Sequence, residues 1–120
     1  MKIVNIGRPL PESTGDNPMF RGEVYMRSLV APPEAERVRV LEVTFRPGGR
    51  TVWHKHSVDQ YLLVTNGHGF IATDEGRKEI STGDLVFIPA RERHAHGALD
   101  DCDMTHIAIM EPSENEMEDD

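Results

Sequence analysis

The chain has 120 residues, with 13 lysines and arginines against 21 aspartates and glutamates, and therefore a net charge of −8. This length suits one domain with a modest core. The negative charge disfavours binding to nucleic-acid phosphates or to an anionic membrane surface, and no run of about 20 apolar residues predicts a membrane span.

Cysteine content and the N-terminal sequence bear on the compartment. Cys102 is the only cysteine, so no intrachain disulfide can form, which favours a reducing environment. The N-terminal residues lack the charged start, apolar centre and small-residue cleavage site of a signal peptide. We therefore expect a cytoplasmic protein in which Cys102 is a small packing residue.

The first 30 residues predict an N-terminal arm and a first strand. Residues 8–20 are rich in proline, glycine and small polar residues, as in an extended arm with turns. The segment GEVYMRSLV, residues 22–30, has the composition of a strand, and Ala31-Pro32-Pro33 ends it because proline has no N–H for the ladder.

Residues 31–110 predict a barrel of short strands. Turn signals recur along this region, and Asn66-Gly67 predicts a tight hairpin because both residues tolerate positive φ. No long helical period occurs, so we expect an all-β sandwich or barrel. The predicted strands are VRVLEVTF (38–45), TVWHKH (51–56), QYLLVT (60–65), GFIAT (69–73), RKEI (77–80), LVFI (85–88), HAHGAL (94–99) and MTHIAIM (104–110).

The last ten residues, EPSENEMEDD at 111–120, predict an acidic C-terminal tail. Six of them are acidic and almost none is apolar. Such a composition is typical of a solvated, partly disordered end that aids solubility.

Strand alternation brings most of the histidines to one face. Residues i and i+2 of a strand point the same way, so each H-x-H pair projects together if its segment is extended. We expect an interior that holds His54, His56, Gln60, His94, His96 and His106, walled by Leu41, Val43, Phe45 and Met110. Trp53 alternates with His54 and is expected to face away.

These imidazoles predict a metal site. Each neutral ring has a donor and an acceptor that burial would leave unsatisfied, and a divalent metal bound by three rings removes much of that penalty. A lone H-x-H pair fits an exposed strand equally well. The second pair, which follows a proline turn, favours metal binding.

Two motifs resemble those of the cupin superfamily. Gly48, His54-Lys55-His56, Gln60 and Gly67 have the spacing of the first cupin motif, in which glutamate is commoner than glutamine. The second motif matches at Gly83, Pro89 and His94, with Arg91 in place of a glycine and Ala98 in place of a frequent asparagine.

This resemblance covers residues 38–110 and implies a fold and a ligand set. The implied fold is a single-domain cupin, a double-stranded β-helix or jelly-roll barrel. The implied metal ligands are His54, His56, Gln60 and His94. An alternative for Gln60 is that it orients a ligand histidine while water takes the fourth position.

A narrower group of cupins is also similar. The strings GGRTVWHKH, QYLLVTNGHG, IPARERHAHGA and MTHIAIMEP resemble small bacterial manganese cupins with glutamine as a ligand, a group that includes hydroxynitrile lyases. This implies manganese first, with iron, nickel or zinc as alternatives. It also implies pocket positions at Leu41 and Val43 and a histidine, His106, beside the metal.

The neutral glutamine favours Lewis-acid chemistry. Three imidazoles and an amide oxygen leave a divalent ion its full positive charge, which polarises a bound oxygen more strongly than a glutamate site would. We expect a lyase that acts on a small hydroxylated substrate. An oxygen-dependent, dioxygenase-like cupin and a non-catalytic cupin that binds a small ligand or a metal are the alternatives.

The two remaining interior histidines are the candidate catalytic residues. His106 is expected to act as general base or proton shuttle, and His96 to orient or contact the substrate. For His96, a buried ring satisfied by a backbone carbonyl is the alternative. We also expect a homodimer, in which the arm crosses to the partner and covers an edge strand.

Overall fold

A computed structural model describes residues 1–6 and 12–120, and within them the chain is all-β, as predicted. None of the described elements is a helix long and apolar enough to cross a membrane. The strands are β1 (Glu12–Ser13), β2 (Phe20–Arg21), β3 (Val24–Val30), β4 (Arg39–Phe45), β5 (Arg50–Thr51), β6 (His54–His56), β7 (Gln60–Thr73), β8 (Gly76–Ser81), β9 (Leu85–Ile88), β10 (Ala95–Ala98), β11 (Met104–Met110) and β12 (Asn115–Met117).

The long strand β7 joins the two faces of the barrel. Its first half lies between β11 and β9, in a face that continues through β4 and β3 to β1. Its second half lies between β10 and β8, in a face that continues through β5 to β2. The interior between the faces therefore receives every second side chain of β4, β7, β10 and β11.

The predicted hairpin at Asn66-Gly67 is wrong, because β7 runs through it without a turn. Gly67 does have a positive φ of 74°, but it is paired with Met104 of β11. A Cβ at Gly67 would lie only 1.9 Å from the carbonyl oxygen of Asp103. The register shifts between Thr105 and His106, so the permissive glycine serves a bulge and a close strand approach.

The N-terminal arm packs on its own barrel. β1 pairs with β3, and β2 pairs with β5, over the residues that the structure describes. The strand predicted at residues 22–30 is present as β3. Residues 8–11 of the predicted arm lie outside the described residues.

The C-terminal tail, predicted to be solvated and partly disordered, is exposed but contains a strand. β12 pairs antiparallel with β6, with Asn115 opposite His56 and Met117 opposite His54. Its neighbour Glu118 donates its N–H to the carbonyl of Trp53 at 2.8 Å. The acidic side chains remain at the surface while the backbone pairs with the free edge of β6. Amino-acid composition alone could not have predicted this pairing.

The hydrophobic core lies between the faces, beside a cavity. Phe45, Leu62 and Met104 are fully buried there, as the inward alternation of β4, β7 and β11 requires. This packing fixes the strands whose polar inward residues form the cavity wall.

Candidate metal centre

Three histidines converge beside a cavity of about 250 Å³, and two of them, His54 and His56, line it. His54, His56 and His94 are buried, and their ligand atoms all lie within 4.8 Å of one another. Two of these residues come from β6, where the intervening Lys55 is exposed. His94 reaches the same point because it exchanges two backbone hydrogen bonds of 2.9 Å with His54.

Main-chain carbonyls orient two of the rings. The Nδ1–H of His54 donates to the oxygen of Val52 at 2.8 Å, and that of His94 donates to the oxygen of Glu92 at 2.8 Å. Each bond places the proton on Nδ1, so the Nε2 atom carries a free lone pair. This is the arrangement in which protein histidines bind metals.

A tail side chain orients the third ring. His56 Nδ1 lies 2.6 Å from the Oδ1 atom of Asn115, which accepts its proton. The Nε2 atom of His56 is buried and has no hydrogen-bond partner within residues 1–6 and 12–120. A buried acceptor without a donor is unfavourable, and a cation at this point satisfies it.

Gln60 completes the set with its amide oxygen. The Oε1 atom lies 3.3 Å from His94 Nε2, while the Nε2 of the amide donates to the sulfur of Met110 at 3.4 Å. Because the proton of His94 is on Nδ1, both atoms of the 3.3 Å contact are acceptors. Two lone pairs facing each other in a buried site fit a shared cation.

Burial keeps these imidazoles neutral. It lowers the pKa of His54 to about 3, with a further contribution from nearby His94, and it lowers the pKa of His94 to about 4. The pKa of His56 is also lowered, mainly by burial. Neutral imidazole is the form that binds a metal, so the residues present fit a divalent ion held by three histidines and one glutamine.

His96 and His106 form a second buried pair beside the ligands. The Nε2 atom of His106 lies 3.3 Å from the Nδ1 atom of His96, and both residues line the cavity. The ring partner of His96 is thus His106 and not a backbone carbonyl. Burial lowers the pKa of His106 to about 4 and that of His96 well below its usual value.

The predicted apolar wall is divided between the cavity and the core. Leu41, Val43 and Met110 line the cavity, as the alternation of β4 and β11 predicts. Phe45 lies behind the histidine pair, with its ring centroid 5.7 Å from that of His96 and 5.4 Å from that of His106.

Sequence reasoning missed several cavity residues. Arg39 lies two positions before Leu41 on the same face of β4, so alternation alone would have found it. The other missed residues belong to the arm, the first strands and the tail, whose positions depend on pairing with distant strands. They are Asn17, Met19, Phe20, Met26, Thr51, Asn115 and Met117.

Trp53, which was predicted to face away from the histidines, packs against Arg93 outside the cavity. Trp53 does not line the cavity, and the guanidinium of Arg93 lies 4.0 Å from its ring centroid. Arg93 also forms ion pairs with Asp74 and with Glu118 of the tail. Arg93 therefore links the C-terminal tail to the surface of the barrel.

A second cluster of ligand types lies at the surface. His68, Asp101 and Cys102 also have ligand atoms within 4.8 Å of one another. His68 lies in β7 and not in a turn, and its side chain, like that of Asp101, is exposed. Water can satisfy these groups, so the buried cluster is the stronger metal site.

The fold and the site define a β-barrel protein with a buried cluster of three histidines and one glutamine that fits a metal ion. Comparison with family models gives a match to the cupin domain over residues 41–110. The chain belongs to this family, as the two motifs predicted.

Relatives and solved structures agree with that assignment. The chain is 39% identical to the (R)-mandelonitrile lyase of Granulicella tundricola over 114 residues, which cover 92% of this chain and 85% of the relative. It is 33% identical to the dimethylsulfoniopropionate lyase DddW of Ruegeria pomeroyi over 87 residues, which cover 71% of this chain and 57% of that protein. The crystal structure of a cupin-like protein from Thermotoga maritima superposes with a TM-score of 0.87 at 30% identity, covering 96% of this chain and 90% of the other.

Proposed function

We propose that this cupin is a metal-dependent lyase for a small hydroxylated substrate, with activity of the hydroxynitrile-lyase kind. The observation that carries the proposal is the pair of facing acceptors, His94 Nε2 and Gln60 Oε1, next to a buried pair of histidines. Similarity to a mandelonitrile lyase and to a second lyase supports the same class of reaction.

His54, His56, Gln60 and His94 would hold the divalent ion, with manganese as the first candidate and iron, nickel or zinc as alternatives. When bound, the ion supplies uncompensated positive charge that acidifies a substrate hydroxyl at the site, because all four ligands are neutral. The protein's own contribution is to fix the donor atoms and to exclude bulk water from the rings, all of which are buried.

The histidine pair would move the proton. If His106 donates its Nε2–H to His96, the buried Nδ1 of His106 is left as the basic atom, since it has no partner in the part of the chain that the structure describes. For a cyanohydrin, the hydroxyl proton passes to this base and the carbon–carbon bond to the nitrile breaks. Cyanide leaves with the electron pair, the hydroxyl carbon becomes a carbonyl, and the imidazolium returns the proton to form hydrogen cyanide.

Cyanide release from mandelonitrile tests the proposal. Manganese-loaded protein should release cyanide, whereas metal-free protein and His54→Ala should not. His106→Ala should lower the rate by about 10²- to 10⁴-fold, the range of general-base catalysis. His68→Ala, a change at an exposed histidine, is the matched control and should keep the rate. Release no faster than that of the metal-free protein would refute cyanohydrin cleavage.

We also propose that the chain forms a homodimer through the outer surface of β7 and β9. Tyr61 and Leu63 lie opposite Phe87 and Leu85, and all four side chains are at least 38% exposed. Such a row of large apolar side chains is typical of an interface. Phe87→Glu should convert the dimer into a monomer in light scattering, and a monomeric wild-type chain would contradict the proposal.

A further inference from the structure

The cavity carries a charge pattern unlike that of the rest of the molecule. The chain has 21 carboxylate side chains and a net charge of −8, yet no aspartate or glutamate is among the described residues that line the cavity. Arg39 is the one charged side chain among them. With neutral metal ligands, nothing in the cavity wall offsets a bound cation or this guanidinium, so an anionic ligand is the charge that fits.

Arg39 is placed by the strand that supplies the apolar wall. It is the first residue of β4, on the same face as Leu41 and Val43, and it lies opposite Met110 in the pairing of β4 with β11. Met110 in turn accepts the amide proton of Gln60. The Met110 side chain therefore lies between the guanidinium of Arg39 and the amide of Gln60.

The guanidinium is poorly satisfied within the protein. Among the described residues, its buried Nε has no hydrogen-bond partner, and an Nη atom contacts only Met110 Sδ, at 4.0 Å. By contrast, Arg93 is bonded to two carboxylates, Asp74 and Glu118. A half-buried arginine with unused donors in a cavity is typical of an anion-binding site, because each unpaired buried donor is unfavourable until a ligand accepts from it.

The chemistry of the cavity restricts the kind of anion. No lysine or second arginine is among the described lining residues, so the site offers a single guanidinium fork, which matches the two oxygens of a carboxylate. Four methionines, whose flexible side chains adapt to small apolar groups, form much of the remaining surface. These are Met19, Met26, Met110 and Met117.

We propose that the substrate is a small hydroxylated carboxylate, whose carboxylate group is bound by Arg39 while its hydroxyl group lies at the metal centre. This inference rests on the proposed function only in taking this cavity as the substrate site. It makes Arg39 a determinant of specificity, selecting charged molecules over neutral ones of the same shape.

Calorimetric binding to the manganese-loaded, full-length chain tests the assignment without any turnover. The probes are two acids, mandelate and lactate, each paired with its neutral amide. Binding is measured for wild type, Arg39→Gln and Arg39→Lys. Arg37→Gln is the matched control, because Arg37 is exposed just before β4. Far-UV circular dichroism establishes that each variant is folded.

We expect Arg39→Gln to lower the preference for acid over amide by about 10- to 100-fold, the loss of a charge-assisted hydrogen-bonded contact. Arg39→Lys should keep part of the preference and Arg37→Gln all of it. The metal's own preference for acid over amide is the same in each variant, so it cancels when the ratio for Arg39→Gln is compared with the ratio for Arg37→Gln. An equal ratio in Arg39→Gln and Arg37→Gln, or wild-type protein that binds neither acid more tightly than its amide, would overturn the inference.

The outcome is independent of the cyanohydrin assay. Mandelonitrile has no carboxylate, so absence of cyanide release together with Arg39-dependent binding of an acid would refute hydroxynitrile cleavage and leave the carboxylate site standing. Cyanide release together with acid binding that does not depend on Arg39 would support hydroxynitrile cleavage and refute the carboxylate site.

Discussion

The metal centre has two halves that are held in different ways. His54 and His94 donate to main-chain carbonyls two residues earlier in the chain, and their two segments also hydrogen-bond to each other. His56 instead donates to the side chain of Asn115, on a strand added to the edge of β6. We refer to these as the barrel half and the tail half.

The difference determines what a substitution can change. A main-chain acceptor is present whatever side chain the residue carries, so the barrel half is fixed by the fold itself. The tail half depends on one amide and on the attachment of β12, to which the Lys55–Glu116 and Arg93–Glu118 ion pairs at the surface contribute. Exposed pairs of this kind contribute about 1 kcal/mol or less each. The tail half is therefore the adjustable part of the site.

Acid should affect the barrel half most. The pKa of His54 is lowered to about 3 and that of His94 to about 4 by burial, against 6.5 in an unfolded chain. Below pH 6.5 the unfolded state binds more protons, so the free energy of unfolding of the metal-free protein falls as pH falls, until the folded pKa values are passed. Between pH 7 and pH 5 we expect a loss on the order of 2 kcal/mol for each histidine.

Urea unfolding of the metal-free protein at pH 7, 6 and 5 measures this effect. His94→Asn, which removes one of the two groups, should show a shallower pH dependence than wild type. A free energy of unfolding that stays constant from pH 7 to pH 5 would show that the barrel histidines do not titrate in this way.

The barrel half could be predicted from the sequence, whereas the pairing that forms the tail half could not. Alternation along β4, β6, β7 and β11 was enough to bring the histidines, Gln60, Leu41 and Val43 to one interior, because period-2 patterning is local. Of the two histidines in the barrel half, His54 lies on β6 and His94 stands directly before β10, and the spacing of both matched a known motif. Residues 60–65 were correctly predicted to be a strand for the same reason.

Pairing between distant segments was not predictable from these patterns. Six acidic residues in the last ten made the tail look solvated, although its backbone had a free strand edge to join. Asn66-Gly67 has the local chemistry of a turn, and only the approach of Asp103 and Met104 shows that Gly67 serves a bulge. In both places a contact made far along the chain outweighs local propensity.

Asn115→Ala should have a smaller effect than acid and should be confined to the tail half. Removing the acceptor of His56 leaves that ring free to rotate and lowers its basicity, which typically weakens metal binding by about 10- to 100-fold, and we expect the lower end because one of four ligands is affected. Competition with a chromophoric chelator measures the change. Asn115→Asp should restore the affinity, because a carboxylate accepts the same hydrogen bond. Glu116→Gln, next to it on β12 but directed at Lys55, is the control: it removes only an exposed ion pair and should change the affinity far less than Asn115→Ala does. Equal affinities for Asn115→Ala and Glu116→Gln would mean that His56 is positioned by the barrel like the other two ligands, and the distinction between the two halves would not hold.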